Sequence, residues 1–314
     1  MTRMSIPTGR VYLAVTITTF FWGANFVLAG WVLEDLSPDW ASALRFLFGA
    51  GLMSVLAWRR GENLAGLARR YAANYLLLGL VGIVGFNLLF FRAMQTTSAD
   101  NGALIMATNP LLTTLLAAAT LRERVSAKHW AALPIALSGV AIVITHGELA
   151  RLQHLQIVEG DLLMLGANLT WAAFNICSRR FSPNASAIAN TALMMSTGAL
   201  VLLAIAAASG AALSMPGPQA FSALVIMTIA GTVLAYLFWG IGIRQLGAGR
   251  TSLFLNLVPV FAMLVGASAG EWPNSAQITG GALVLTGMII AILPARQGVM
   301  VRAGESYFPK RHHE

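Results

Sequence analysis

The chain has 314 residues, of which 57% are hydrophobic and only 10% charged, with a mean hydropathy of +0.71 and a formal net charge of +8. That balance excludes a water-facing globule, whose surface needs far more charge. It points to a chain dissolved in a bilayer, in which the positive excess is an insertion signal and not a nucleic-acid footprint.

A membrane-crossing helix takes about 20 predominantly apolar residues. Ten such runs follow one another, near 11–33, 39–58, 73–93, 100–120, 129–146, 161–178, 187–208, 220–243, 250–269 and 276–294. The expected fold is an all-α integral membrane protein with ten transmembrane helices. No soluble domain is expected, because the longest connection, His146 to Glu159, has room for a surface turn at most. The first run lacks the cleavage signal of a secretory leader and is expected to be retained. Residues 296–314 read as a polar tail.

In the first run, within FWGANFV, Trp22 sits at the centre and Asn25 follows by three positions, which puts indole and amide on one helical face. The second run holds Arg45, the one basic residue well inside a span, six positions after Asp39. Its stem is long enough to snorkel toward a partner near the surface, and attraction of a substrate carboxylate is the sharper alternative. Asn87 lies in the third run, and the fourth, ATNPLLTTLL at its middle, sets Asn109 beside Pro110. The sixth run repeats the first with Trp171 and Asn175, and the eighth carries Tyr236 with Trp239 about one turn further on. The ninth, LNLVPVFAML, holds Asn256 and Pro259.

A proline inside a helix removes one amide donor and pushes away the carbonyl four residues back. The carbonyls of Met106 and Leu255 are therefore expected to need new partners, which in a bilayer only protein or a wet cavity supplies. An amide left unpaired in hydrocarbon costs roughly 2–7 kcal/mol, so Asn109 and Asn256 must also face protein or water. The fifth and tenth runs carry Ala132, Ala136, Gly139, Gly280, Gly281 and Gly287. Such small residues would serve equally to pack the two halves together or to form a homo-oligomer.

Seventeen of the 20 Lys and Arg fall at the amino end, in the tail, or in alternate loops marked by Arg59, Arg122, Arg179 and Arg250. The intervening loops are acidic or neutral, with Glu34, Asp35 and Asp39 in one and Glu148, Glu159 and Asp161 about another, so both termini are expected to be cytoplasmic. The single cysteine, Cys177, excludes an internal disulfide. None of the five histidines shares helical spacing with a carboxylate inside a span, so no metal site is expected. No GxxxxGK[ST] loop is present, and no acid–base set lies at one depth in the membrane, so no cofactor and no enzyme chemistry are expected. A carrier remains, with a non-transporting receptor or scaffold as the competing class.

Sliding the chain against itself by 149 residues aligns Trp22 with Trp171, Asn87 with Tyr236 and Pro110 with Pro259, and an offset of 148 then pairs Glu123 with Glu271. Residues 1–148 and 149–295 form two repeats of five spans each. Five is odd, so the second repeat enters the membrane from the opposite face: an inverted-topology repeat.

The order FWGANFV, ALRFLFGA, SADNGALIMATNPLLTTLLAAATLRERVS and SGVAIVI resembles the EamA-type branch of the drug/metabolite transporter superfamily, from about Arg10 to Pro294 and in both halves. NLTWAAFNICSRR narrows the likeness to bacterial aromatic amino-acid exporters. The resemblance implies two inverted five-helix halves about a central cavity, in a bacterial inner membrane, with amino acids as cargo. The bends at Pro110 and Pro259 and their neighbours then mark the substrate site: Trp22, Asn25, Asn87, Met106, Asn109, Trp171, Asn175, Tyr236, Leu255 and Asn256. A multidrug or metabolite exporter of the same fold is the alternative. The central thirds of the spans contain no Asp, Glu, His or Lys, which predicts a facilitator over a proton-coupled pump.

Overall fold

The computed structural model describes residues 7–97, 102, 105–123, 126–148, 158–268 and 272–292. Asp100, Glu271, the expected repeat boundary at 148/149 and the tail 296–314 therefore lie wholly or partly outside the described residues.

Eleven helices occur among the described residues, with no strand. They are α1 Thr8–Asp35, α2 Pro38–Arg59, the short α3 Leu64–Arg70, α4 Ala72–Ala93, α5 Ile105–Leu121 and α6 Ala127–Ile144. The second half follows with α7 Glu159–Phe181, α8 Ala187–Ala208, α9 Pro218–Leu246, α10 Ala248–Ala267 and α11 Ser275–Ile292. Seven of these (α1, α2, α4, α6, α8, α9 and α10) are long and apolar enough to cross a membrane. Over the described residues, Ile105–Leu121 of α5 and Ser275–Ala291 of α11 are apolar but shorter, and α7, at 23 residues, is long enough but more polar.

Local signals start these helices at matching places. Ser37 accepts a hydrogen bond from the Trp40 amide at 3.3 Å, and Ser186, 149 residues later, accepts one from Ala189 at 3.0 Å. Each is an N-cap that satisfies an otherwise unpaired amide. The body of each helix is apolar on both faces. On α2, Ala43, Phe46, Ala50, Met53 and Ala57 are buried, while Leu47, Phe48, Leu52 and Val55 point outward. An outward apolar stripe of that kind fits lipid and not water.

The halves are interleaved. α1 packs on α9 and α10, α7 packs on the corresponding α4 and α5, α2 packs on α8, and α6 packs on α11. Gly139 of α6 and Gly280 and Gly287 of α11 are spent on that last contact, while Gly281 faces Val260 and Met263 of α10. A Cβ on Gly139 would come within 2.6 Å of the Gly280 carbonyl, and one on Gly280 within 2.7 Å of the Gly139 carbonyl, so these two backbones touch. Of the two uses the sequence left open, the packing of half against half is the one observed.

Two helices depart from α geometry at equivalent points. Leu80–Gly85 in α4 and Ile229–Leu234 in α9 each form a turn of wider π-helix. Such a turn leaves backbone carbonyls available to side chains. The accepting carbonyls, those of Gly82 and Gly231, are again 149 residues apart.

Candidate functional site

A cavity lies where the halves meet, with an empty volume of about 680 Å³, its open mouth included. α1 contributes Trp22, Asn25 and Phe26, and α2 contributes Arg45. Phe86 and Phe90 come from α4, Met106 and Ala107 from α5, Trp171 from α7 and Tyr236 from α9, while Leu255, Val258 and Pro259 come from α10. The walls are aromatic. Trp22 and Trp171 meet edge to face with centroids 5.1 Å apart, Phe86 lies 4.9 Å from Trp171, and Tyr236 lies 5.7 Å from Trp171.

Of the residues singled out from sequence, Trp22, Asn25, Met106, Trp171, Tyr236, Leu255 and Pro259 border this space. Asn87, Asn109, Asn175 and Asn256 lie behind its wall, all fully or almost fully buried. Asn87 donates to the Ile83 carbonyl at 2.9 Å and meets the Tyr236 hydroxyl at 3.5 Å. Both amide atoms of Asn256 lack a partner among the described residues. Pro110 is buried one position after Asn109, off the cavity surface.

The remaining amides form a continuous run joining α5, α7 and α9. Asn168 donates to the Ile105 carbonyl and the Thr108 hydroxyl, both at 2.8 Å. It accepts in turn from Asn109 at 2.6 Å. Thr113 donates to Asn109 at 2.9 Å, Asn175 to Thr113 at 3.2 Å, and Trp239 to Asn175 at 2.9 Å. Trp239 is thereby neither an interfacial belt residue nor part of the cavity lining. It is wholly buried, 4.9 Å from Trp22.

The turn before each proline tightens: the Thr108 amide reaches the Ile105 carbonyl at 3.1 Å, Asn168 joins it there, and the Leu257 amide reaches Phe254 and Leu255, so the Leu255 carbonyl takes its new partner from the protein. One expectation needs correction. Arg45 does not snorkel outward to Asp39. Asp39 pairs with Arg92 at 3.0 Å, and Arg45 turns inward, donating through Nε to Thr232 Oγ1 at 2.5 Å and through Nη2 to the Gly231 carbonyl at 3.2 Å. The π turn of α9 presents that carbonyl to α2, a signal that lies in another helix and is invisible at Arg45 itself.

The model of the EamA-like transporter family matches residues 9–145 and again residues 158–293. The chain belongs to the EamA-like transporter family. It is 35% identical over 285 residues to the uncharacterized transporter YyaM of Bacillus subtilis, covering 90% of this chain and 93% of that protein. It is also 24% identical over 314 residues to a protein of Escherichia coli named probable amino-acid metabolite efflux pump, covering 96% and 100%. A solved crystal structure shares the fold, with a TM-score of 0.74 at 21% identity over 90% of this chain and 96% of that one.

In this EamA-like transporter Glu123 ties elements together at the end of the bundle that carries the basic loops. Glu123, just after α5, accepts from the amides of Ala248 and Gly249 at 3.2 and 3.4 Å, at the start of α10. Carboxylates are favoured at such helix starts. Arg179 of α7 reaches Glu123 at 3.7 Å and the Arg244 carbonyl at 2.6 Å. The chain enters α10 through Gly247 at φ 92°, with the Glu123 carboxylate where a side chain would stand. At the opposite end Asp35 accepts from the Gly217 amide at 2.8 Å, at the start of α9, and Asp39 pairs with Arg92 at 3.0 Å. There Asp161 caps α7 through the Val158 amide at 3.1 Å and accepts from Thr97.

Proposed function

We propose that this chain is a secondary transporter that exports amino acids, aromatic and other neutral ones, across a bacterial inner membrane by alternating access. In this reading ten helices cross the membrane as two inverted five-helix repeats, divided near 148/149, with both termini and the basic loops in the cytoplasm. The cavity is the observation that carries it. An aromatic-walled space with a few polar groups, placed between two repeats at bends in paired helices, is how carriers hold a small amphiphile. The efflux pump relative supports amino acids as the cargo.

Among the described residues no Asp, Glu, His or Lys lines the cavity. A proton-coupled carrier needs a group that titrates along its path. The transporter is therefore a facilitator, driven by the solute's own gradient. The test is flux of labelled phenylalanine in proteoliposomes. Exchange should be saturable and independent of imposed pH or Na⁺ gradients with the membrane potential clamped; accumulation above the outside concentration under either gradient would overturn facilitation, and no flux for any amino acid would overturn the cargo.

A further inference from the structure

We infer that this cavity selects for a carboxylate on an aromatic body, that Arg45 is its receptor, and that an ammonium group on the cargo contributes little. The inference rests on the transporter reading above and narrows its cargo. Arg45 is 5% exposed and borders the cavity. A cation so placed is expensive in a membrane interior and is normally matched by an acid. None of the described residues lining the cavity is Asp or Glu, and the nearby Asp39 is already paired to Arg92. A guanidinium has five N–H donors. The bonds to Thr232 and Gly231 use two of them, and the face of Phe46, 5.5 Å away, adds only a cation–π contact.

A second donor at the cavity points the same way. Trp22 and Trp171 are repeat partners, yet their N–H groups differ. Trp22 donates to the Gly231 carbonyl at 3.0 Å. The matching carbonyl for Trp171, that of Gly82, accepts instead from the Tyr236 hydroxyl at 3.2 Å. Trp171 is 2% exposed, and its Nε1 has no acceptor among the described residues. A buried donor with no acceptor costs about 1–3 kcal/mol unless something meets it. The cavity wall thus holds a charged donor and a neutral donor, neither met by an acid among the described residues, amid aromatic rings. That combination suits a monoanion with two oxygens and a ring. It opposes an organic cation, which would sit beside Arg45 with no counter-charge.

Three phenylalanine-like probes separate the possibilities: 3-phenylpropionate has the carboxylate alone, phenylalanine has both charges, and phenethylamine has the ammonium alone. Binding to the purified full chain is followed by tryptophan fluorescence. The expected result is comparable affinity for the first two and at least tenfold weaker binding of phenethylamine. Arg45→Gln should abolish that preference, and Arg45→Lys should keep part of it. Should Arg45→Gln fail to fold, Trp171→Phe keeps the ring while removing the donor. It should weaken 3-phenylpropionate several-fold and leave phenethylamine unmoved. Binding of phenethylamine as tight as that of 3-phenylpropionate, a preference that survives loss of the guanidinium, an acid affinity unmoved by Trp171→Phe, or no binding of any probe would each overturn the inference. Tight 3-phenylpropionate binding without phenylalanine flux would keep it and sink the amino-acid export reading instead.

Discussion

The contacts of α5 with α7 and of α10 with α1 are equivalent under the 149-residue offset, and they are built from opposite materials. Between α5 and α7 five side-chain hydrogen bonds cross, centred on Asn109 and Asn168. Between α1 and α10 none crosses among the described residues. Thr19, which stands where α7 has Asn168, bonds within its own helix to Thr16 at 2.8 Å. Closeness replaces polarity there: a Cβ on Gly23 would meet Ala262 N at 2.8 Å and Val258 O at 2.9 Å. Hydrogen bonds can be exchanged for water as a gap opens, whereas touching backbones have nothing to exchange. In an alternating-access cycle the α1–α10 contact is the better pivot and the α5–α7 contact the better seam.

The sharpest way to break the dry side is Gly23→Ala. Two of the three nearest atoms are backbone and cannot rotate aside, which puts the cost at the upper end for overpacking, about 3 kcal/mol. A clear fall in melting temperature of the purified protein is expected. Ala172, the counterpart on α7, already carries a methyl and is fully buried, so Ala172→Gly should cost no more than about 1 kcal/mol. Equal stability of Gly23→Ala and wild type would remove the pivot argument.

The polar side fails more gradually. Asn168→Leu leaves the Asn109 donor and the Ile105 and Thr108 acceptors short of a partner, at about 1–3 kcal/mol. Replacing both Asn109 and Asn168 by Leu should recover part of that loss, because apolar pairs leave less unsatisfied. A double variant less stable than the sum of the singles would show that the run of amides does not act as a pair-wise clasp.

Much of this was legible in the chain. The offset that aligns Trp22 with Trp171 and Pro110 with Pro259 located the cavity, since symmetry and helix-breaking residues both report on the backbone. What the sequence could not say was which buried amide meets another amide. Asn in an apolar run signals only that a partner is required. Asn109 and Asn175 find theirs in protein, and Asn168, sitting in the same sixth span, was passed over because its partners are 59 to 63 residues away. The phenylalanines at 26, 86 and 90 were missed for a different reason: an apolar ring in an apolar span carries no signal of the face it occupies. Helix polarity was the least secure reading. α7 departs from the expected apolar pattern because one of its faces carries the buried amides Asn168 and Asn175 while Leu162, Leu165 and Leu169 point outward.

The smallest effects separate the two prolines. Proline biases against a straight helix by about 3 kcal/mol, so replacing it by Ala lets the break close. At Pro110 the break has its own support: Asn168 bonds the Ile105 carbonyl and the Thr108 hydroxyl, and Thr108 donates to Ile105 at 2.7 Å. Three part-buried bonds at about 1 kcal/mol each offset most of the proline term, so α5 should stay bent in Pro110→Ala. At Pro259 the preceding Leu253–Asn256 turn is a tight 3₁₀ stretch, and the Asn256 amide bonds to nothing among the described residues. Nothing comparable holds α10 bent once the proline is gone. Pro259→Ala should therefore slow amide exchange across 253–258 and lower flux roughly tenfold, the equivalent of about 1.4 kcal/mol. Pro110→Ala should lower flux less than twofold. Equal losses, or a larger one at Pro110, would mean that the amide clasp does not hold the bend it surrounds.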